Sequence, residues 1–503
     1  MTVAKRSGTN GKSRMPGVIP EKGVDKDALL AEIDRMCGDD ADWRSGKTWS
    51  LVYHASDAHQ AFLKQAHNKL FSENGLNPMA FGSLKRMESE VVRMTASMLN
   101  GDEKAVGTMT TGGTESILLA VKAYRDRARW RKPWVRRPEM VIPRSAHVAF
   151  EKASHYFGVK IRYAPMGEDY RADVKAMRKL VNRNTILLVA SAPQYVEGVV
   201  DPIAEIGQLA QTKKIPLHVD SCIGGYILPW IERLGRPVPL WDFRVPGVTS
   251  ISADVHKYGY AAKGASTVIY RDMSYLKHQF FISTDWPGGI YASPSMLGTR
   301  AGGSIAAAWA AMMALGEDGY IELTKKTLDG VDRLRAGIGA IPELGVLGDP
   351  HSSLVSFESL DPTVDLYAVA DLMEEQGWNN DRQQNPASIH CTVSASNAGA
   401  VEPYLADLKV AVARVKADPT IKSQGNAAMY GMMAKIPFRR LVKYSVLKIM
   451  EGMYGPDGEI PDLSKIGQGK DDDFLFKLIN DYGEPIMKAL DRVDELRQRY
   501  FRR

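Results

Sequence analysis

Between residues 84 and 270 short apolar runs alternate with amphipathic stretches, and this alternation limits the fold more than any other feature of the chain. The runs at 140–143, 160–163, 186–191, 217–220, 248–252 and 266–270 are too short for helices. Apolar residues dominate several of them, as in strands buried on both faces. Residues 114–129 and 174–181 carry helical periodicity between them. Strands alternating with helices predict an α/β fold: a doubly wound, mostly parallel sheet whose ligand crevice opens at the carboxyl ends of its strands.

The flanks read differently. Residues 1 to about 25 are polar and rich in Gly, Ser and basic residues, as a flexible arm is, and a helical pattern over 25–36 puts Leu29, Leu30, Ile33 and Met36 on one face. A Gly-rich loop from 298 leads into an Ala-rich helix at 305–315. Past 321 the chain takes on an α+β character, with strands at 354–357 and 389–393 and mostly helix beyond. Residues 456–473, rich in Gly, Pro and Asp, read as an exposed loop. The 503 residues are too many for one ordinary core and show no short repeat. The expected division is an arm and helical segment over 1–83, a large domain over 84–330, and a smaller α+β domain with a helical tail over 331–503.

Composition removes several classes of function. With 65 Lys and Arg against 59 Asp and Glu, the formal charge of +6 is a mild excess spread along the chain, not a nucleic-acid footprint. The densest basic stretch, 125–137, carries Trp130 and Trp134 and reads first as the solvated end of a helix and its loop. The three cysteines, Cys37, Cys222 and Cys391, have neither disulfide nor metal spacing, so no metal site is expected and a reducing compartment is. No apolar signal core and no run near the ~18 apolar residues of a membrane span occurs, which makes the expected location cytoplasmic.

Three segments bring reactive groups to the expected crevice. Thr111-Gly112-Gly113-Thr114-Glu115 precedes a helix. Its glycines bare N–H groups at the positive end of the helix dipole, which suits phosphate, although a plain tight turn has the same spelling. The run Leu217-His218-Val219-Asp220 ends in a carboxylate, which either caps a helix or, buried, needs a cation such as a protonated pyridine nitrogen. In Ser252-Ala253-Asp254-Val255-His256-Lys257 a strand-like run delivers a lysine to the same edge. A single lysine is by default a surface residue, but one set among polar groups can lose its proton and attack an aldehyde. The succession of all three in one α/β unit favours the chemical reading.

Together with SAHVAFEKASHYFG and TDWPGGIYASPSMLGTRAGGS, these segments resemble the fold-type I pyridoxal-phosphate enzymes, group II decarboxylase branch, and most of all the soluble bacterial type of sphingosine-1-phosphate lyase. The likeness covers roughly residues 50–330. It implies an aspartate-aminotransferase-like large domain with a mixed, mostly parallel seven-stranded sheet, pyridoxal 5'-phosphate as cofactor, and a homodimer with shared active sites. Residue by residue, it implies that Lys257 forms the Schiff base, Asp220 pairs with the pyridine nitrogen and His147 stacks on the ring. Gly113 and Thr114 would cradle the phosphate with Ser252 and His256 as helpers, and Gly302, Gly303 and Ser304 would reach the neighbouring subunit's cofactor. Tyr53, Tyr195 and Lys263 would lie near the substrate, Tyr195 and Lys263 both being candidates for the base and for the substrate phosphate.

The implied activity is cleavage of a phosphorylated long-chain base to a fatty aldehyde and phosphoethanolamine. Decarboxylation of an L-amino acid is the alternative, and an inactive scaffold of the same fold a second. Two departures bear on the choice: Ala80 and Glu197 stand where the lyases usually carry histidines. A carboxylate at 197 would disfavour an anionic substrate nearby.

Overall fold

The computed structural model describes residues 19–418, 420–421 and 439–456. It divides into two compact units, Met1–Ala41 with Gln424–Arg503 and Asp42–Ser423. In the first unit, α1 (Lys26–Met36) starts at Asp25, whose carboxylate accepts from the N–H groups of Asp27 and Ala28. Leu29, Leu30, Ile33 and Met36 are all exposed, so the expected helix is present while its apolar face is not buried. A second helix runs over Arg439–Met453. Most of the expected arm, and the expected loop beyond 456, lie outside the described residues.

The second unit is built on a seven-stranded sheet. Its strands are β1 (Val106–Thr110), β2 (Glu139–Pro143), β3 (Lys160–Ala164), β4 (Thr185–Ser191), β5 (Leu217–Asp220), β6 (Val248–Ala253) and β7 (Ser266–Tyr270), in the spatial order β1-β7-β6-β5-β4-β2-β3. Strand β7 is antiparallel to β1 and β6, and every other pairing is parallel. The mixed, mostly parallel sheet is therefore as expected. Strand β1 was not anticipated: Val-Gly-Thr-Met-Thr offers neither an apolar run nor clean alternation, and antiparallel pairing with β7 makes it a strand.

Strands β4, β5, β6 and β7 are buried along their whole length because helices cover both faces. On one face Leu188, Ala190, Leu217, Val219 and Ile251 join the core beneath α3 (Gly82–Met98) and α7 (Ile203–Lys213). On the other, Leu187, Val189 and Val268 pack with α4 (Gly113–Arg131) and α5 (Ala149–Phe157). The Ala-rich helix is longer than its pattern suggested. α10 runs Gly302–Gly339 and bends at Gly316, whose φ of 57° and ψ of −174° interrupt the helix. A four-stranded antiparallel sheet follows, β10 (Leu344–Val346), β11 (Leu354–Ser359), β12 (Asp381–Gln383) and β13 (Ser388–Thr392), with its own core around Trp49, Phe357, Trp378 and Tyr404.

Leu188 in β4 is wholly buried, so Leu188→Ala should lower stability by about 2–5 kcal/mol and the melting temperature by several degrees. An unchanged thermal transition would contradict this core.

Candidate active site

The carboxyl edge of the sheet is where the reactive residues meet. Register sets Ser191 of β4 beside Asp220 of β5, and Asp220 beside Ser252 of β6. Strand β1 points the same way as β6, so it delivers Gly112 and the start of α4 to this edge. A cavity of about 470 Å³ opens there, lined by Gly113, Thr114, His147, Tyr195, Asp220, His256 and Lys257.

Lys257 Nζ lies 3.0 Å from Asp254 Oδ2, and the Asp254 side chain is 2% exposed. Burial works against the charge of Lys257, but Asp254 outweighs it and holds the amine above its ordinary pKa. Burial likewise pushes Asp254 up, while Lys257, His256 and a 2.5 Å hydrogen bond from Ser266 Oγ pull it below the usual carboxylate range. His256 Nδ1 accepts from the Ala265 N–H at 3.1 Å, which assigns its proton to Nε2. Burial lowers its pKa, so the ring is neutral near pH 7. Asp254 is part of the segment that carries Lys257, and its spacing of three residues was the only sequence signal of the pairing.

Asp220 accepts from the Cys222 N–H at 3.1 Å and from Ser252 Oγ at 3.2 Å. Ser252 therefore stands behind Asp220 and does not line the cavity. His218 continues the chain: its Nδ1 is 2.8 Å from Ser250 Oγ and its Nε2 3.4 Å from Ser252 Oγ, and burial lowers its pKa to about 4. Cys222 lines the floor, with burial and the carboxylates of Asp220 and Asp254 keeping its thiol protonated. A Cβ at Gly113 would come within 2.5 Å of Cys222 Sγ and 3.0 Å of the Asp254 carboxylate, so only glycine lets the first turn of α4 approach this closely. His147 is exposed at the rim, its Nδ1 accepting from the Ala149 N–H at 3.2 Å.

Tyr195 is tied across the unit by its hydroxyl, which donates to Asp381 Oδ2 at 2.6 Å, and by a ring contact with His390 at 4.3 Å. Burial and then Asp381 raise its pKa far above the usual phenol value. Nothing local in the sequence pairs positions 195 and 381. Tyr53 and Lys263 line an adjoining cavity of about 400 Å³. Lys263 Nζ sits 5.1 Å from the Tyr53 ring centroid and donates to the Leu51 carbonyl at 2.8 Å. Burial, then repulsion from Lys257, lowers Lys263 to about 8, and burial raises Tyr53 to about 12.

Gly302, Gly303 and Ser304 are not at the Lys257 cavity of their own chain. They start α10 against the end of α2 (Asp57–Lys69): a Cβ at Gly302 would strike the Glu73 carbonyl and one at Gly303 the His67 ring, while Ser304 faces Gly264. One expectation about the departures is corrected. Glu197 does not present a charge to the cavity. It is fully buried behind Gln194, whose side-chain amide donates to it, and burial raises its pKa to about 7. Ala80 is exposed in a turn closed by its N–H on the Asn77 carbonyl.

The donor set fits pyridoxal phosphate. Lys257 would hold the aldehyde, Asp220 would face the pyridine nitrogen, and the open N–H groups at the start of α4 would take the phosphate, in a cradle that a side chain at 113 would fill.

Comparison with known proteins agrees. Residues 20–360 match the pyridoxal-dependent decarboxylase conserved domain, and the chain belongs to this family of pyridoxal-phosphate-dependent enzymes. Within it, the chain is 43% identical to sphingosine-1-phosphate lyase of Arabidopsis thaliana over 89% of its own length and 83% of that protein's. It is 41% identical to sphingosine-1-phosphate lyase 1 of Rattus norvegicus over 87% and 77%. The solved structure of a Burkholderia pseudomallei sphingosine-1-phosphate lyase superposes with a TM-score of 0.78 at 38% identity, covering 86% of this chain and 96% of that one.

Glu197 gives a pH test. Its folded pKa of about 7 lies above the unfolded value near 4.5, so the folded form binds the extra proton and stability falls as pH rises between the two. Glu197→Gln should be more stable than wild type at pH 8, by on the order of 3 kcal/mol, and equal to it near pH 4.5. Melting curves at both pH values decide this; a constant difference would contradict it.

Proposed function

We propose that this chain is a carbon–carbon lyase that cleaves a phosphorylated long-chain base into a fatty aldehyde and phosphoethanolamine. The observation that carries the reading is the Lys257 cavity, with Asp220, Gly113 and His147 around it, opening beside a second cavity that holds a cationic lysine. The cofactor, when bound, supplies an electron sink for the pair released when the substrate's Cα–Cβ bond breaks.

Each residue has its task. Asp220, fixed by Cys222 N–H and Ser252, keeps a negative oxygen where a protonated ring nitrogen needs one. His147, at the rim, would stack on the cofactor ring. Lys263, with a pKa of about 8, is mostly ammonium at neutral pH and suits the substrate phosphate, whose charge would hold it protonated. Tyr195 then serves the proton on the β-hydroxyl: its phenol oxygen accepts that proton while its own passes to Asp381 along the 2.6 Å hydrogen bond. Because Glu197 is buried and shared with Gln194, it leaves the cavity free of an extra negative charge, in keeping with an anionic substrate.

We further infer a cytoplasmic homodimer. Phe71, Leu76 and Met79 are exposed close to the Gly302–Ser304 turn, and a second copy covering them would bring that turn toward the partner's cofactor phosphate. No described helix is long and apolar enough to cross a membrane.

The holoenzyme should release aldehyde from a phosphorylated long-chain base. Release of CO₂ from amino acids, with the phosphorylated base untouched, would overturn the reading in favour of a decarboxylase. Tyr195→Phe should lower kcat by about 10²–10⁴ with little change in KM. Lys263→Ala should mainly raise KM, and should lose its effect on a substrate analogue without phosphate. Equal effects on both substrates would remove Lys263 from the phosphate.

A further inference from the structure

The basic stretch at 125–137 plays no part in the cavity. Arg125, Arg127, Arg129, Arg131, Lys132, Arg136 and Arg137 stand there against a single acid, Asp126. Asp126 is shared by Lys122, Arg125 and Arg129, so the excess is uncompensated locally. Among the described residues no carboxylate pairs with Arg131, Lys132, Arg136 or Arg137.

The two tryptophans do not fold inward. Trp130 is 66% exposed and Trp134 69% exposed, although Ala128 and Val135 on either side of the pair are buried and pin the backbone. Trp130, at the end of α4, is held upright by cations: Lys277 Nζ lies 5.2 Å and Arg131 Cζ 5.7 Å from its ring centroid, and the His278 ring is 6.0 Å away. Lys277 closes the helix α9 (Met273–Leu276), so a second element adds charge to the same patch. Burying two large indoles would ordinarily stabilise a fold, and leaving both in water beside unpaired cations is a surface without its partner.

We propose that this patch docks the enzyme on an anionic membrane surface, with Trp130 and Trp134 in the headgroup layer and the arginines on lipid phosphates. Indoles carry an apolar body with a polar edge and settle at that layer, and guanidinium groups match phosphate in charge and geometry. The choice of membrane over nucleic acid rests on the lipid-substrate reading above. A base with a long alkyl chain resides in bilayers, and an enzyme without a described membrane-spanning helix must meet it there. The patch begins on the last turns of α4, whose first turn opens on the Lys257 cavity, and continues past the helix end through Trp134, Arg136 and Arg137.

The test uses the full-length holoenzyme and sedimentation with vesicles of phosphatidylcholine, alone or mixed with phosphatidylglycerol. Binding should require phosphatidylglycerol and weaken as salt rises from about 0.05 to 0.5 M. R136A/R137A should lower partitioning by about 30-fold. W130A/W134A should remove the part that survives high salt. Both variants should keep wild-type turnover of substrate offered in detergent micelles, which also shows that they fold. Equal binding by wild type and variants, or none by wild type, overturns the proposal and leaves the lyase reading standing. Binding of single-stranded oligonucleotide that both variants abolish, with vesicles ignored, overturns it in favour of a nucleic-acid surface. Failure of the lyase reading would appear separately, as absent aldehyde release in micelles.

Discussion

A partly buried amine sits at the edge of this sheet, and the deeply buried carboxylate of Asp254 is what keeps it there. Asp254, at its depth, could not remain charged without a cationic partner. Together, at 3.0 Å, each shifts the other's pKa toward the charged form, and Ser266 takes up the remaining carboxylate oxygen. The pair fixes the position of Lys257, and with it the cavity that Asp220, α4 and His147 enclose. That is why Gly113 cannot carry a side chain: the first turn of α4 is drawn up against Asp254 and Cys222.

The sheet turns this local arrangement into a site. Parallel strands release their carboxyl ends along one edge, so residues far apart in the chain arrive side by side without any one loop having to carry them. Ser191, Asp220 and Ser252 form such a row, and His218 and Ser250 support it from inside the sheet. The antiparallel β7 returns the chain so that β1 and α4 reach the same edge.

Much of this was legible in the sequence because each key group belongs to a short local pattern. Asp220 ends an apolar run, Lys257 follows one, and Gly112-Gly113 precede a helical stretch, so period and punctuation located all three. What escaped depends on contacts across the chain. The Tyr195–Asp381 hydrogen bond joins two distant segments that share no pattern. Strand β1 acquires its conformation from β7 and not from its own residues. The charge of Glu197 could be read from its letter, but its meaning could not: burial behind Gln194 takes the carboxyl out of the cavity and leaves it about half protonated near pH 7.

The account's central claim is that Lys257 is the residue that captures the cofactor aldehyde. Borohydride reduction of the holoenzyme, followed by proteolysis and mass spectrometry, tests it directly. A pyridoxyl-phosphate mass added to the peptide bearing Lys257, and to no other lysine, is the predicted result. The same mass on Lys263, or on no peptide at all, would contradict it.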